Sequence, residues 1–374
     1  MKTRLNYTLL ITSAILLGFG LLFLATLSAI ASLDAFGNTT YYIFHQLVAV
    51  AIGLVAGLIA YKLPLEWIKK ISLPVLIVNV VLLILVFLPV LGAKYWGARR
   101  WINVGPITLQ PSELLKISSI LYLSSWLSVK FHGSAKRSLM PLAKRGYETF
   151  IKVFIPFACL LGLVAVFLFF QKDLSTMGII SLSLIAVYFT AGTPFWHTIL
   201  LFISGASGAA LLIKIEPYRV QRLLVFLNPE ADPFGIGFQL KQSILAIGSG
   251  GLFGKGLGMS TQKFGFLPQA MGDSTFAIIG EELGMIGCTI FILLFVFFFW
   301  QCIKIAKNSN DPFGKLAAVG IATWMLLQTF MNVASSLGIF PLAGIPLPFF
   351  SYGGSHIITE LAAIGLLLNI SKSR

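Results

Sequence analysis

The stretch Gly272-Asp-Ser-Thr-Phe-Ala-Ile-Ile-Gly-Glu-Glu-Leu-Gly284 joins two parts of the chain with opposite solvent preferences. Beyond it the sequence stays almost wholly apolar to Trp300, long enough to cross a hydrocarbon core of about 30 Å, which takes about 20 residues. Before it, residues 214–274 are too polar and too rich in Gly and Pro to cross a bilayer. A loop of that length is normally either functional or disordered, and its regular Gly, Pro and apolar punctuation argues against disorder. Glu281 and Glu282 lie just inside the new span, where acids are costly and mark function by default.

Working outward, 57% of the chain is hydrophobic and only 11% is charged. Apolar runs recur near 8–32, 41–63, 71–92, 114–130, 153–170, 176–192, 196–213, 275–303, 316–338 and 357–370. They predict an all-α polytopic membrane protein of ten transmembrane helices, a single domain over 1–374, with the large loop between spans seven and eight. The first run lacks a small-residue cleavage site and reads as a retained span. Cys159, Cys288 and Cys302 have no metal-ligand spacing and read as small buried hydrophobes.

Lys and Arg collect in short cytoplasmic loops, and their distribution places both termini and the basic segment Lys130–Lys152 inside, with the long loop outside. The net charge of +14 suits an anionic leaflet. No nucleic-acid recognition module is present, so no nucleic-acid partner is expected.

The basic residues expected outside fall into two clusters, which points to an anionic ligand, although Lys and Arg also snorkel to lipid phosphate. The first cluster holds Trp96, Arg99, Arg100 and Trp101 and leads into Gln110-Pro-Ser-Glu-Leu-Leu-Lys116. Paired Arg forks suit phosphate oxygens. Glu113 and Lys116 share one helix side, either as a plain ion pair or as a phosphate-binding Lys with its orienting acid. The second cluster is the long loop, with Lys214, Arg219, Arg222, Lys241, Lys255 and Lys263. Its glycines are not a Walker A loop, because Lys255 is followed by Gly256 with no Ser or Thr placed for magnesium. Residues 238–247 read as an amphipathic helix.

Three further features complete the reading. Asp173, in the tip between the fifth and sixth runs, suits an N-cap. Asp273 suits an N-cap too, but it also delivers a carboxylate to the mouth of the eighth span. The segment 344–356, with Ser351 and His356, is irregular backbone at membrane depth, tolerated where it is buried or lines a cavity.

The segments GARRWINVGPITLQPSELLK, QKDLS, NPEADPFGIGFQLKQSILAIGSGGLFGKG, FLPQAMGDSTFAIIGEELG and GIPLPFFSYGGS resemble the SEDS family, the FtsW, RodA and SpoVE proteins, in order and over nearly the whole chain, with a lean to the FtsW side. The resemblance implies a GT-C-like fold and an inverting peptidoglycan glycosyltransferase. Such an enzyme joins lipid II into β-1,4 strands on the outer face of the cytoplasmic membrane during division or elongation. The implied partners are a class B penicillin-binding protein and other divisome or elongasome membrane proteins.

It further implies that Asp273 is the catalytic carboxylate, acting as general base on the acceptor hydroxyl. Arg99, Arg100, Lys116, Arg219 and Lys263 are the expected cations for the diphosphate, with Glu113 orienting Lys116. Asp173, Glu281, Glu282 and Ser351 are expected in supporting roles. A divalent cation, magnesium or manganese, would assist the leaving group; no organic cofactor is expected. The chain departs from the family pattern around Asp273, where Gln269, Met271, Gly272, Ser274 and Thr275 stand, and at His356, which reads as a packing residue. The alternative reading is a lipid II flippase or a transporter of lipid-linked substrates, which Glu281, Glu282 and Glu360 inside spans keep open. The matching broken helices of an inverted-repeat transporter are not evident.

Overall fold

In the computed structural model the described residues are 5–89, 92–95, 98–104, 107–132, 148–215 and 217–372. Trp96 and most of the basic segment between Lys130 and Lys152 lie outside them. The ten expected spans appear in order as helices, because a backbone crossing lipid must satisfy its own hydrogen bonds. They are α1 (Tyr7–Phe36), α2 (Tyr41–Lys62), α3 (Leu65–Leu85), α4 (Pro111–His132) and α5 (Ile155–Phe170), the last preceded by a π turn at Phe150–Phe154. After them come α6 (Leu174–Thr190) and α7 (Phe195–Ile215). The long loop forms two helices of its own, α8 (Pro217–Leu227) and α9 (Ile236–Ser249). The bundle closes with α10 (Thr275–Asn308), α11 (Pro312–Ser336) and α12 (Gly354–Ile370).

Among the described residues, six segments are long and apolar enough to cross a membrane: α1, α2, α3, Phe150–Phe170, α10 and α11. Shorter apolar helices include α6 and α12. α4 is less apolar because it faces protein, burying Ser112, Glu113, Lys116, Ser118, Ser119 and Ser124. Large apolar side chains such as Leu22, Phe44, Val78, Phe202 and Ile290 are exposed around the outside, as suits a lipid solvent. Of the three cysteines, only Cys302 is buried.

One span boundary needs correction, and a small sheet follows it. The third helix runs 65–85, not 71–92: it starts just after Pro64. The chain then forms a small antiparallel sheet of β1 (Gly92–Tyr95), β2 (Ala98–Val104) and β3 (Ile107–Leu109) beside the otherwise helical bundle, which is the expected all-α fold class. The strand segments carry the β-branched Ile102, Val104, Ile107 and Thr108. The register pairs Lys94 with Arg99 and Ile102 with both Gly92 and Leu109.

Small residues set the tightest helix contact. A β-carbon on Gly57 of α2 would lie 2.6 Å from the Leu361 carbonyl, and one on Gly365 of α12 would strike the Gly57 carbonyl. Glycine lets these two backbones touch, the usual means of helix association in lipid.

Candidate functional site

The eighth span is broken where its acids sit. Gly284 adopts φ +66°, ψ −168° inside α10, a conformation open to glycine. The glycine-rich segment after α9 fills the break. Gly251 and Leu252 accept the N–H groups of Met285 and Ile286 at 2.8 and 3.1 Å, and Lys255 and Gly256 donate to the carbonyls of Glu281 and Glu282 at 3.0 Å each. The loop therefore supplies the hydrogen bonds that the broken helix lacks.

The two acid side chains complete this joint. Glu281 accepts from Lys255 Nζ at 2.7 Å, from Thr261 Oγ1 at 2.9 Å and from Ser260 Oγ. Glu282 accepts the Gly258 N–H at 2.9 Å and lies 3.8 Å from Lys263 Nζ. Both carboxylates are fully buried and fold the loop around themselves. Lys263, expected among the cations for a diphosphate, is committed to Glu282 and to the Gly258 carbonyl.

This joint aims the loop 262–274 at one end of the bundle, where Asp273 stands one residue before the Ser274 cap of α10. Its carboxylate accepts from Gln239 Nε2 at 3.2 Å, and the same amide reaches Ser274 Oγ at 3.0 Å. Gln239 lies on α9, whose Gly237, Leu240, Ser243 and Ala246 are buried. The amphipathic helix expected from the sequence is thus present, and it carries Gln239 to the carboxylate.

The loop 341–346 holds the other side. A β-carbon on Gly344 would lie 3.8 Å from Oδ2 of Asp273 and 3.9 Å from Nη2 of Arg222, so the acid and the guanidinium both border this glycine, whose φ of +65° favours that residue. Arg222, on α8, donates to the Leu342 carbonyl at 3.0 Å. Asn332 of α11 donates from one amide nitrogen to the carbonyls of Asp273 and Ile345, at 2.9 and 2.7 Å. Ser351 Oγ accepts the Leu347 N–H at 2.8 Å and donates to the Gly272 carbonyl. Ser351 thus acts on the position of Asp273 through the backbone.

Burial raises the Asp273 carboxyl to about 6, against the opposing influence of its hydrogen bonds and of Arg222. The side chain remains partly exposed. A partly exposed carboxylate whose pKa lies this close to neutral is poised to take up a proton, as a general base must.

The remaining expected residues are dispersed. Arg99 donates to the Phe87 carbonyl at 3.0 Å. Arg100 donates to the carbonyls of Gln171 and Lys172, at 3.0 and 2.5 Å, and so ties β2 to the α5–α6 tip. Asp173 caps α6, accepting the Thr176 N–H at 3.3 Å. Arg219 is buried with its guanidinium 5.2 Å from the Phe169 ring centre.

Lys116 is buried inside the bundle, 2.6 Å from Glu113 and 2.9 Å from Gln328 Oε1, with its Nζ 5.1 Å from the Trp324 ring centre. The Glu113–Lys116 spacing thus forms an ion pair enclosed within the bundle. His356 is buried, in keeping with its packing role.

Gln239, Arg222 and Asn332 frame the carboxylate and were not singled out from the sequence as site residues. For Gln239 and Arg222 the available signal was their place in the long loop. Asn332, a buried polar residue within an apolar span, carried the signal that intramembrane polarity always carries. Among the described residues, no three His, Cys, Asp or Glu side chains converge as a metal cage.

Comparison with known proteins fits this architecture. The chain is 38% identical over 359 residues to the probable peptidoglycan glycosyltransferase FtsW of Coxiella burnetii, covering 95% of this chain and 93% of that one. It is 36% identical over 371 residues to the stage V sporulation protein E of Bacillus subtilis, covering 99% and 98%. Its fold matches a chain of a peptidoglycan synthase complex that coordinates polymerization and crosslinking, with a TM-score of 0.77, 23% identity and 98% of each chain covered. It also matches the rod shape determining protein RodA of Thermus thermophilus, with a TM-score of 0.70, 23% identity and 99% and 98% covered. The model of the cell cycle protein family of FtsW, RodA and SpoVE matches residues 7–374, and this multi-pass membrane protein belongs to that family.

Proposed function

We propose that this chain is a peptidoglycan polymerase, an inverting glycosyltransferase that joins lipid II units at the outer face of the cytoplasmic membrane. The observation that carries the reading is the Asp273 carboxylate: partly exposed, raised to about 6, and set in a frame drawn from α8, α9, α11 and the loop 341–346. Both termini then lie on the cytoplasmic side.

Chain growth needs a sugar hydroxyl to attack an anomeric carbon. Asp273 takes the hydroxyl proton as the new C–O bond forms. The old bond to the diphosphate breaks, and its electron pair leaves on the diphosphate oxygen. A single displacement inverts the α-linked donor to a β product and needs no covalent enzyme intermediate. Gln239 orients the carboxylate, and the Arg222 charge favours its ionised form. Arg222 also places positive charge where the departing diphosphate requires it. A divalent cation would supply further charge neutralisation there. The described side chains form no cage for one, so none of these steps is assigned to it.

The flippase reading drew on Glu281, Glu282 and Glu360. Here the first two spend their oxygens on the loop, and Glu360 accepts the Phe349 N–H at 3.0 Å. These contacts give the three acids structural work that does not involve transport.

The test is co-purification with a class B penicillin-binding protein whose transpeptidase is blocked, given labelled lipid II and magnesium or manganese. Glycan ladders are expected from the wild type, and Asp273→Asn is expected to lower the rate by about 10²–10⁴-fold, the usual worth of a general base. An intact complex that makes no ladders from lipid II that another polymerase consumes would overturn the reading.

A further inference from the structure

An aromatic group at the same end of the bundle has no part in the chemistry above. Phe36, at the end of α1, stacks on Tyr41 at the start of α2, with ring centres 3.7 Å apart and planes 18° apart. Tyr41 lies nearly parallel to His45, at 6.5 Å and 14°. Tyr42 packs edge-on against Tyr352 at 5.1 Å, and the Tyr352 hydroxyl meets His45 Nδ1 at 2.9 Å. Phe36 and Tyr41 are exposed, and Tyr42, His45 and Tyr352 are half-buried.

Interfacial Tyr rings commonly anchor spans to lipid headgroups. This group differs because Tyr352 comes from the irregular segment that holds Asp273 in place. Its N–H donates to the Met271 carbonyl at 2.8 Å, two residues before Asp273. Its neighbour Ser351 holds the Gly272 carbonyl. On the other side, the Gly353 N–H donates to Gln46 Oε1 at 3.1 Å, so α2 is bound to the same segment. The glycine contact between α2 and α12 keeps the two helices in register. The rings are therefore fixed relative to Asp273.

Flat ring faces edged with hydroxyl and imidazole groups are what a pyranose ring requires. Its C–H face packs on an aromatic face, while its hydroxyls need donors and acceptors around the rim. The group contains no Lys or Arg, which disfavours a diphosphate as its ligand. We propose that Tyr41, Tyr42, His45 and Tyr352 form a subsite for a sugar unit of the glycan strand, next to the site of bond formation. Its role is to retain the strand between successive additions. This rests on the polymerase reading and concerns how far each strand grows.

The experiment is the lipid II assay with the partner complex, read as the distribution of strand lengths. Tyr41→Ala removes an exposed ring, and mean strand length is expected to fall by about threefold or more, the occupancy change expected from losing one stacking contact. Tyr41→Trp keeps a stacking face and is expected to restore most of that length. A soluble N-acetylglucosamine tetramer added in millimolar excess is expected to shorten wild-type strands by competing for the subsite. Wild-type strand lengths in Tyr41→Ala, or no effect of the tetramer, would overturn the subsite and leave the rings as an interfacial anchor. Absence of ladders from the wild type itself would instead count against the polymerase reading. If Tyr41→Ala fails to fold, the tetramer competition on the wild type decides the matter.

Discussion

One nitrogen of Asn332 holds the backbone carbonyls of Asp273 and Ile345 together, at 2.9 and 2.7 Å. The loop that presents the carboxylate and the loop that faces it are thus pinned to the same point on α11. Asn332→Leu, similar in size, leaves both carbonyls without this donor. Buried groups left unsatisfied cost about 1–3 kcal/mol each. Polymerisation is expected to drop about tenfold or more through misplacement of Asp273, with a lower unfolding temperature; unchanged ladders would show that the clamp does not position the acid.

Arg222 lowers the Asp273 pKa, against the burial that raises it to about 6. In the polymerase reading, activity falls as pH drops through about 6 and the base becomes protonated. Arg222→Gln removes the opposing charge, so the acid limb of the pH–rate profile is expected to move to higher pH. An unmoved limb would assign it to another group.

The same shift has a stability consequence of definite sign. A carboxylate raised above its unfolded value makes the folded protein bind more protons than the unfolded chain between about pH 4 and 6, so its effect on stability worsens as pH rises through that window. Asp273→Asn removes this penalty and is expected to raise the unfolding temperature at pH 7.5 while lowering the rate by about 10²–10⁴-fold. Equal unfolding temperatures at pH 7.5 would argue that the burial is relieved by solvent.

Gly284→Ala tests the joint in α10. The residue sits at φ +66°, ψ −168°, a region essentially confined to glycine that costs another residue about 1–3 kcal/mol. Its new β-carbon would also lie 2.7 Å from the Leu252 carbonyl oxygen. Poor accumulation of protein in the membrane and a disordered outer loop are expected, the latter read as faster proteolysis near residue 255. Wild-type protection would mean that the break tolerates a side chain.

Glu113 and Lys116 form a buried pair, so removing either alone leaves an uncompensated charge, a loss of about 3–5 kcal/mol. Lys116→Met is expected to destabilise the protein more than Lys116→Met combined with Glu113→Gln. Thermal unfolding in detergent measures both. If the single change is the milder one, Lys116 is not held by this pair.

The class of the protein follows from the sequence alone, because crossing lipid leaves the backbone few options and the apolar runs record that constraint directly. The order of the ten spans, the amphipathic α9, the cap at Asp173 and the placing of Asp273 at the mouth of a span were all legible for the same reason: each is local in the chain; the cap expected at Asp273 falls instead on Ser274. Tertiary structure alone decided which charges are open and which are enclosed. Lys116 and Lys263 look like available cations in sequence, yet acids three residues away in one case and nineteen in the other neutralise them inside the fold. Gln239, Arg222 and Asn332 surround Asp273 from separate elements, 34, 51 and 59 residues away in the chain. No spacing rule reaches that far, since such neighbours are set by how helices pack and by the break at Gly284 that turns the loop back onto the bundle.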